Sequence, residues 1–247
     1  MTGIKRAIVL SAGQGRRLLP LTETRPKCLI ELGERSLLAW QLMHLEAAGV
    51  AETLVVTGFG ANLVEQEIER LSLATMTVTT LYNPFYGVAD NLASCWIARE
   101  AFEGDVLLLN GDTLFERAIA ERLIAAPAAG IVVTIDRKGG YDADDMKVET
   151  RGDALVAIGK TITTFDAESI GFLRFSAEGS ARFRVAIDAA LRDSENLRRW
   201  YLSIIDELAR EGGVAVCSIE GLQWGEMDFI ADLTSNDAMV QGWLAGG

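Results

Sequence analysis

Residues 11–32 read S-A-G-Q-G-R-R-L-L-P-L-T-E-T-R-P-K-C-L-I-E-L, and they follow Ala7-Ile8-Val9-Leu10, a short apolar run with the character of a buried strand. A strand that runs through Ser11 into Ala12-Gly13-Gln14-Gly15 must turn where two residues lack a Cβ, which leaves backbone N–H groups facing outward as an anion cradle. Arg17 and Lys27 flank that loop in an otherwise acidic chain, and fixed cations beside open N–H groups suit a triphosphate. A glycine pair after a strand is also the ordinary mark of a turn. The stretch is not the dinucleotide fingerprint, because its third glycine is missing, and it lacks the Gly-Lys-Ser/Thr of a Walker loop.

Outward from the loop, apolar strands and amphipathic helices alternate. Ser36 caps a helix through Leu45, Thr53–Thr57 reads as a strand, Asn62–Leu71 as a helix and Thr75–Leu81 as a strand. That alternation implies parallel strands joined by right-handed crossovers, with ligands at the carboxyl ends of the strands. Val106–Leu109 is a central strand that ends in Asn110-Gly111-Asp112. An acid there is placed for a hard cation, although Gly-Asp pairs also serve as plain turns. From Arg137 to Phe175 the rhythm breaks into short strands, including a hairpin over Lys147–Gly159, which reads as an antiparallel appendage over the catalytic end of the sheet. Helices from Ser176 and Trp200, a strand at Val214–Ile219 and a helix containing Ile230–Leu233 complete the chain.

At 247 residues the chain can bury its own core. Its 23 Lys and Arg against 35 Asp and Glu give a net charge of −12, which argues against nucleic acid or an anionic membrane as the main partner. Cys28, Cys95 and Cys217 lack CxxC spacing and suggest a reducing compartment; with no apolar leader or membrane-length run, the expectation is the cytoplasm. His44, the single histidine, lies within a helix without companion ligands and reads as structural.

The opening stretch resembles, position by position, the A-G-x-G-x-R-L-x-P-L-T-x-x-x-P-K-x-L signature of the sugar-phosphate nucleotidyltransferases, filled here by Ala12, Gly13, Gly15, Arg17, Leu18, Pro20, Leu21, Thr22, Pro26, Lys27 and Leu29. The resemblance is closest to the bacterial choline-phosphate cytidylyltransferase branch, whose N-x-x-Y-x-x-x-x-N-x-x-S segment matches Asn83, Tyr86, Asn91 and Ser94; the Gly-Leu-Ala-Gln segment of sugar-phosphate relatives is missing. It implies one nucleotidyltransferase domain over residues 1–247, α/β, with a Rossmann-like, GT-A-like, mostly parallel mixed sheet flanked by helices and an acceptor-binding appendage near 137–175. It further implies Mg²⁺ on Asp112 and on Asp228, the latter from the Trp224-Gly225-Glu226-Met227-Asp228 segment. Arg17 and Lys27 would act at the phosphates.

Ser11 to Gly15, Arg17, Asn91, Ser94 and Gly111 would hold the nucleotide, and Tyr86, Lys147, Phe172 and Trp224 the acceptor. The implied reaction joins CTP and phosphocholine into CDP-choline and pyrophosphate. Aromatic faces and acids such as Asp142, Asp144 and Asp145 suit a quaternary ammonium. Inositol phosphate, 2-aminoethylphosphonate or a sugar 1-phosphate are alternative acceptors, UTP the competing nucleotide, and a catalytically silent nucleotide sensor the reading of a different class. A homodimer is also compatible.

Overall fold

The computed structural model describes residues 4–245. In chain order the elements begin with β1 (Arg6–Ser11), β2 (Glu31–Leu32), β3 (Arg35–Ser36), α1 (Leu37–Ala47), β4 (Glu52–Thr57), α2 (Ala61–Arg70) and β5 (Thr77–Tyr82). There follow α3 (Asn91–Ile97), β6 (Val106–Asn110), β7 (Thr113–Phe115), α4 (Arg117–Ala125), β8 (Ile131–Asp136), β9 (Lys147–Arg151), β10 (Ala154–Ile158) and β11 (Ala167–Phe175). The last are α5 (Ala177–Ala190), α6 (Tyr201–Glu211), β12 (Val214–Ser218), β13 (Trp224–Glu226) and α7 (Ile230–Ala245).

Nine strands form one sheet in the order β5-β4-β1-β6-β11-β8-β12-β10-β9. The block β5-β4-β1-β6 is parallel, as the alternation of strand and helix requires, whereas β11 runs antiparallel to both β6 and β8. The hairpin of β9 and β10 is continuous with this sheet, since β10 pairs with β12 and β9 with β11. Strand geometry sends successive side chains to opposite faces. Ile8 and Leu10 of β1 therefore join one core with α3, α5 and α6, while Ala7 and Val9 join the other with α1, α2 and α4. A third, smaller cluster of Leu18, Leu32, Trp40, Leu114, Met227 and Val240 anchors the opening stretch against β7 and α7.

Chain direction explains where the site lies. From β1 the chain crosses outward to β4 on one side, and β6 lies on its other side. The crevice between diverging connections is where an open α/β sheet binds ligands. The glycine loop leaves β1 there and Gly111-Asp112 leaves β6 there, with Leu10 and Asn110 in register.

Candidate active site

Ser36 caps α1 by accepting from Ala39 N at 3.1 Å, so the chain between β1 and α1 is an excursion pinned at both ends. Gly15 holds that excursion in a left-handed conformation (φ 77°) and lies so close to Lys27 that a Cβ would sit 2.8 Å from the lysine Cβ. Thr22, fully buried, donates through its hydroxyl to Gly15 O at 2.8 Å, and Gln14 Nε2 donates to Thr22 O at 3.1 Å. The loop is thus braced from within. Ala12, Gly13, Gly15 and Gly111 line a cavity of roughly 330 Å³ with Arg17, Lys27, Asn91 and Ser94.

Asp112 and Asp228 are brought together by a two-stranded ladder. β7 pairs with β13 with Glu226 opposite Thr113, and Met227 N donates to Asp112 O at 3.0 Å. Asp232 then accepts from the backbone N–H groups of Asp228 and Phe229 at 2.8 and 2.7 Å, fixing the turn that presents Asp228.

The Lys27 ammonium donates to Asp112 Oδ2 at 2.8 Å and to Asp228 Oδ1; Arg17 donates to Asp228 Oδ2 at 2.7 Å and to Asp144 Oδ2 at 3.1 Å. Burial alone would lower the Lys27 pKa, but Asp112 and Asp228 outweigh it and hold the ammonium above its ordinary value. Burial would likewise raise the Asp228 carboxyl, yet Lys27 and Arg17 keep it below the usual carboxylate range. Burial, then Asp112 and Asp228, push the Glu226 carboxyl upward. Asp112 Oδ1 is buried without a hydrogen-bond partner.

Beyond the two aspartates lies a second cavity of roughly 190 Å³, bordered by Asp144, Lys160, Trp200 and Glu226, and beside it a larger one of roughly 680 Å³. The larger wall carries Asp136, Asp145, Glu168 and Glu226, and Lys138 is seated on it with its ammonium 2.9 Å from Asp145 and 2.8 Å from Glu168. Burial pushes the Glu168 carboxyl up to about 7, against the pull of Lys138.

The other expected site residues are distributed between these cavities and the core. Ser11 is buried beneath the loop, and Gln14 spends its amide on bracing Thr22. Ser94 borders the glycine-loop cavity, but its hydroxyl accepts from Asn83 Nδ2 at 3.0 Å. Tyr86 borders that same cavity, against Phe59 and Tyr82, so it stands on the nucleotide side and not on the acceptor side. Phe172 is fully buried against Phe115 with ring centroids 5.0 Å apart and reaches no cleft. Lys147 is buried, and its ammonium donates to the Asp142 carbonyl at 2.7 Å and the Lys160 carbonyl at 3.4 Å, so it staples two loops. Trp224 does border the acid-lined cavity, its indole N–H donating to Asp136 at 2.8 Å.

His44 is structural as expected: its ring packs on Trp40, Phe115 and Trp243, with Nδ1 2.6 Å from Phe115 O. Sequence reasoning missed Asn110, Lys160, Glu168 and Glu226. Only a paired register for β7 and β13, or the bulged path of β11, could have flagged the last two.

Residues 7–209 match the MobA-like NTP transferase domain. A CMP-5'-(3-aminopropyl)phosphonate synthase from Streptomyces rubellomurinus is 42% identical over 127 residues, a match that covers 51% of this chain and only 20% of that longer protein. A CTP:phosphoglutamine cytidylyltransferase from Campylobacter jejuni is 24% identical, covering 92% of this chain and 97% of its own. Among solved structures, a CTP:phosphocholine cytidylyltransferase from Streptococcus pneumoniae superposes with a TM-score of 0.79 at 20% identity, covering 96% of this chain and 99% of that one.

Proposed function

Because the chain belongs to the MobA-like NTP transferase domain family, a family of nucleotidyltransferases, we propose that it transfers a cytidylyl group from CTP to a phosphate or phosphonate that carries a cationic nitrogen. The observation that carries this reading is the Lys27 ammonium, shared by Asp112 and Asp228 where the glycine-loop cavity meets the smaller cavity beyond the two aspartates. An acceptor oxygen would attack the α-phosphorus, and the bond from that phosphorus to the β-phosphate oxygen would break, releasing pyrophosphate with the electron pair. The acceptor oxygen is already anionic at neutral pH, so the step depends on positioning and charge neutralisation, and no general base is needed. The loop N–H groups and Arg17 hold the triphosphate, and Lys27 offsets the charge that grows at the α-phosphate.

Asp112 and Asp228 would hold Mg²⁺, and their chemistry fits it: two hard carboxylates, one with a buried oxygen lacking any partner. Among the described residues no cluster of three or more His, Cys, Asp or Glu forms an all-protein cage. Mg²⁺ usually takes one or two carboxylates and completes its shell with substrate phosphates and water. When bound, it supplies charge to the departing pyrophosphate.

The acceptor reading rests on Lys138. Its ammonium shows that this wall accommodates a primary ammonium, ion-paired with Asp145 and Glu168, and the buried Glu168 Oε1 still lacks a hydrogen-bond partner; a primary ammonium can donate to it and a trimethylammonium cannot. An aminoalkyl phosphonate or phosphate is therefore the first choice, in keeping with the product in the name of the Streptomyces relative. Phosphocholine is the second, favoured by Trp200 and Trp224, which both border the cleft. Steady-state kcat/KM with CTP should rank 2-aminoethylphosphonate above phosphocholine, and both above inositol phosphate and glucose 1-phosphate. A preference for either uncharged-tail acceptor would overturn the acceptor assignment while leaving nucleotidyl transfer standing.

A further inference from the structure

Tyr201 opens α6 with no exposed surface, and it makes two bonds to asparagines from distant parts of the chain. Its backbone N–H, one of the helix's unpaired first-turn donors, donates to Asn91 Oδ1 at 2.9 Å. Its phenol donates to Asn110 Oδ1 at 3.1 Å. A backbone N–H can only donate, so the amide oxygen of Asn91 must face it and the NH₂ is the group left over. Burial drives the Tyr201 phenol well above its ordinary pKa, so it stays protonated and able to donate to Asn110. Neither Asn91 Nδ2 nor Asn110 Nδ2 has a hydrogen-bond partner among the described residues.

The space for one of these amides is built into the sheet. β11 shifts register between Ser169 and Leu173, and Gly171 there takes a left-handed conformation (φ 69°). A Cβ at Gly171 would collide with the Asn110 amide nitrogen. Both asparagines border the glycine-loop cavity and also the cavity beyond Asp112 and Asp228. A nucleotide whose triphosphate end lay in the glycine-loop cavity and that reached the other would bring its ribose and α-phosphate between the two asparagines.

We propose that Tyr201 is a positioning residue that, by occupying both amide oxygens, turns the NH₂ groups of Asn91 and Asn110 onto the ribose and α-phosphate oxygens of the bound nucleotide. This rests on the nucleotidyl-transfer reading. It also narrows the part Asn91 plays in holding the nucleotide: with its oxygen already accepting from α6, its NH₂ is the group left without a partner among the described residues.

The test is calorimetric titration of CTP with Mg²⁺, without acceptor, on the full chain. Tyr201→Phe keeps the backbone N–H on Asn91 and frees only Asn110. Asn110→Ala should weaken CTP binding roughly tenfold, as expected for a hydrogen bond to a charged group. Tyr201→Phe should weaken it by roughly threefold to tenfold, and the double variant should bind no worse than Asn110→Ala alone. Asn110→Asp keeps an acceptor for Tyr201 while removing the NH₂, and the carboxylate it adds beside Asp112 also repels the triphosphate, so it should bind CTP at least roughly tenfold more weakly, and wild-type affinity there counts against the proposal even should Tyr201→Phe fold poorly. Wild-type affinity in Tyr201→Phe or in Asn110→Asp, or losses that simply add in the double variant, would overturn the proposal. Failure of the wild-type chain itself to bind CTP would overturn the nucleotidyl-transfer reading and this inference together.

Discussion

Lys27→Met removes one charge at nearly constant side-chain length, and the surroundings of Lys27 set the consequence. The ammonium contacts Asp112 at 2.8 Å and also Asp228, with side-chain exposures of 13% for Lys27, 30% for Asp112 and 16% for Asp228. Removing one partner of a buried pair costs about 3–5 kcal/mol, and the partial access of water to Asp112 lowers the expectation to about 2–3 kcal/mol. For a chain of this size that corresponds to a melting temperature lower by roughly 5–10 °C. The Asp228 carboxyl titrates below its ordinary 3.8, so the stability it contributes is present above that pH and is lost as pH falls through its folded value. The difference between wild type and variant should therefore shrink in acid below about pH 4. Turnover should fall about 10²–10³-fold in kcat, since the lost charge acts on the reacting phosphate. Thermal melts from pH 3 to 7 and steady-state pyrophosphate release check both arms. A variant that melts lower yet keeps wild-type kcat would make Lys27 a charge-neutralising strut only, and a gap that widens in acid would refute the pairing itself.

Glu168→Gln tests the acid-lined wall. The carboxyl is raised from 4.5 to about 7 in the folded chain, so its stabilising contribution is full below pH 4.5 and is lost as pH rises through 7. Urea unfolding should show wild type losing up to about 3 kcal/mol more than the variant between pH 4.5 and 7.5, and parallel profiles would contradict this. Gly15→Ala forces a Cβ into a left-handed position against Lys27, costing about 1–2 kcal/mol and displacing the ammonium. Calorimetry should show CTP binding weakened at least roughly tenfold, and unchanged affinity would refute the loop's role. Arg174→Met strips a buried guanidinium, bonded to the Ala126 carbonyl at 2.6 Å and to those of Leu123, Ile124 and Pro127, from the end of α4. It should destabilise by about 2–4 kcal/mol in denaturant without altering kcat, and an unchanged unfolding midpoint would contradict that.

The parallel half of the fold was legible because strand-like runs such as those of β1, β4 and β6 alternate with helices, the first of which has a plain cap at Ser36. The glycine loop, Arg17, Lys27, Asp112 and Asp228 were legible for a different reason: residue types and order within short segments carried them. Long-range pairing was not legible. Nothing local in Thr113–Phe115 or Trp224–Glu226 announces that these short strands form a ladder, yet that ladder joins the two aspartates. The acceptor wall failed for the same reason. Lys147 and Phe172 looked suitable by type, but strand alternation and the β11 bulge turned Phe172 into the core and put Glu168, a residue with no local motif, on the cleft. Asp90 occupies the cap position of α3 without a side-chain bond, while its neighbour Asn91 serves the start of α6, more than a hundred residues away in sequence.

The central claim is transfer of a nucleotidyl group, and ³¹P NMR of the full chain with CTP, Mg²⁺ and 2-aminoethylphosphonate reads it directly. The account predicts that the three triphosphate resonances give way to free pyrophosphate and to a pair of mutually coupled resonances, one from the former α-phosphorus and one from the phosphonate. With Asp112→Ala the triphosphate should persist. Release of inorganic phosphate with CDP, cleavage of CTP without the coupled pair, or an unchanged triphosphate with every acceptor in the series would contradict it, and the last of these would mark the chain as a nucleotide sensor.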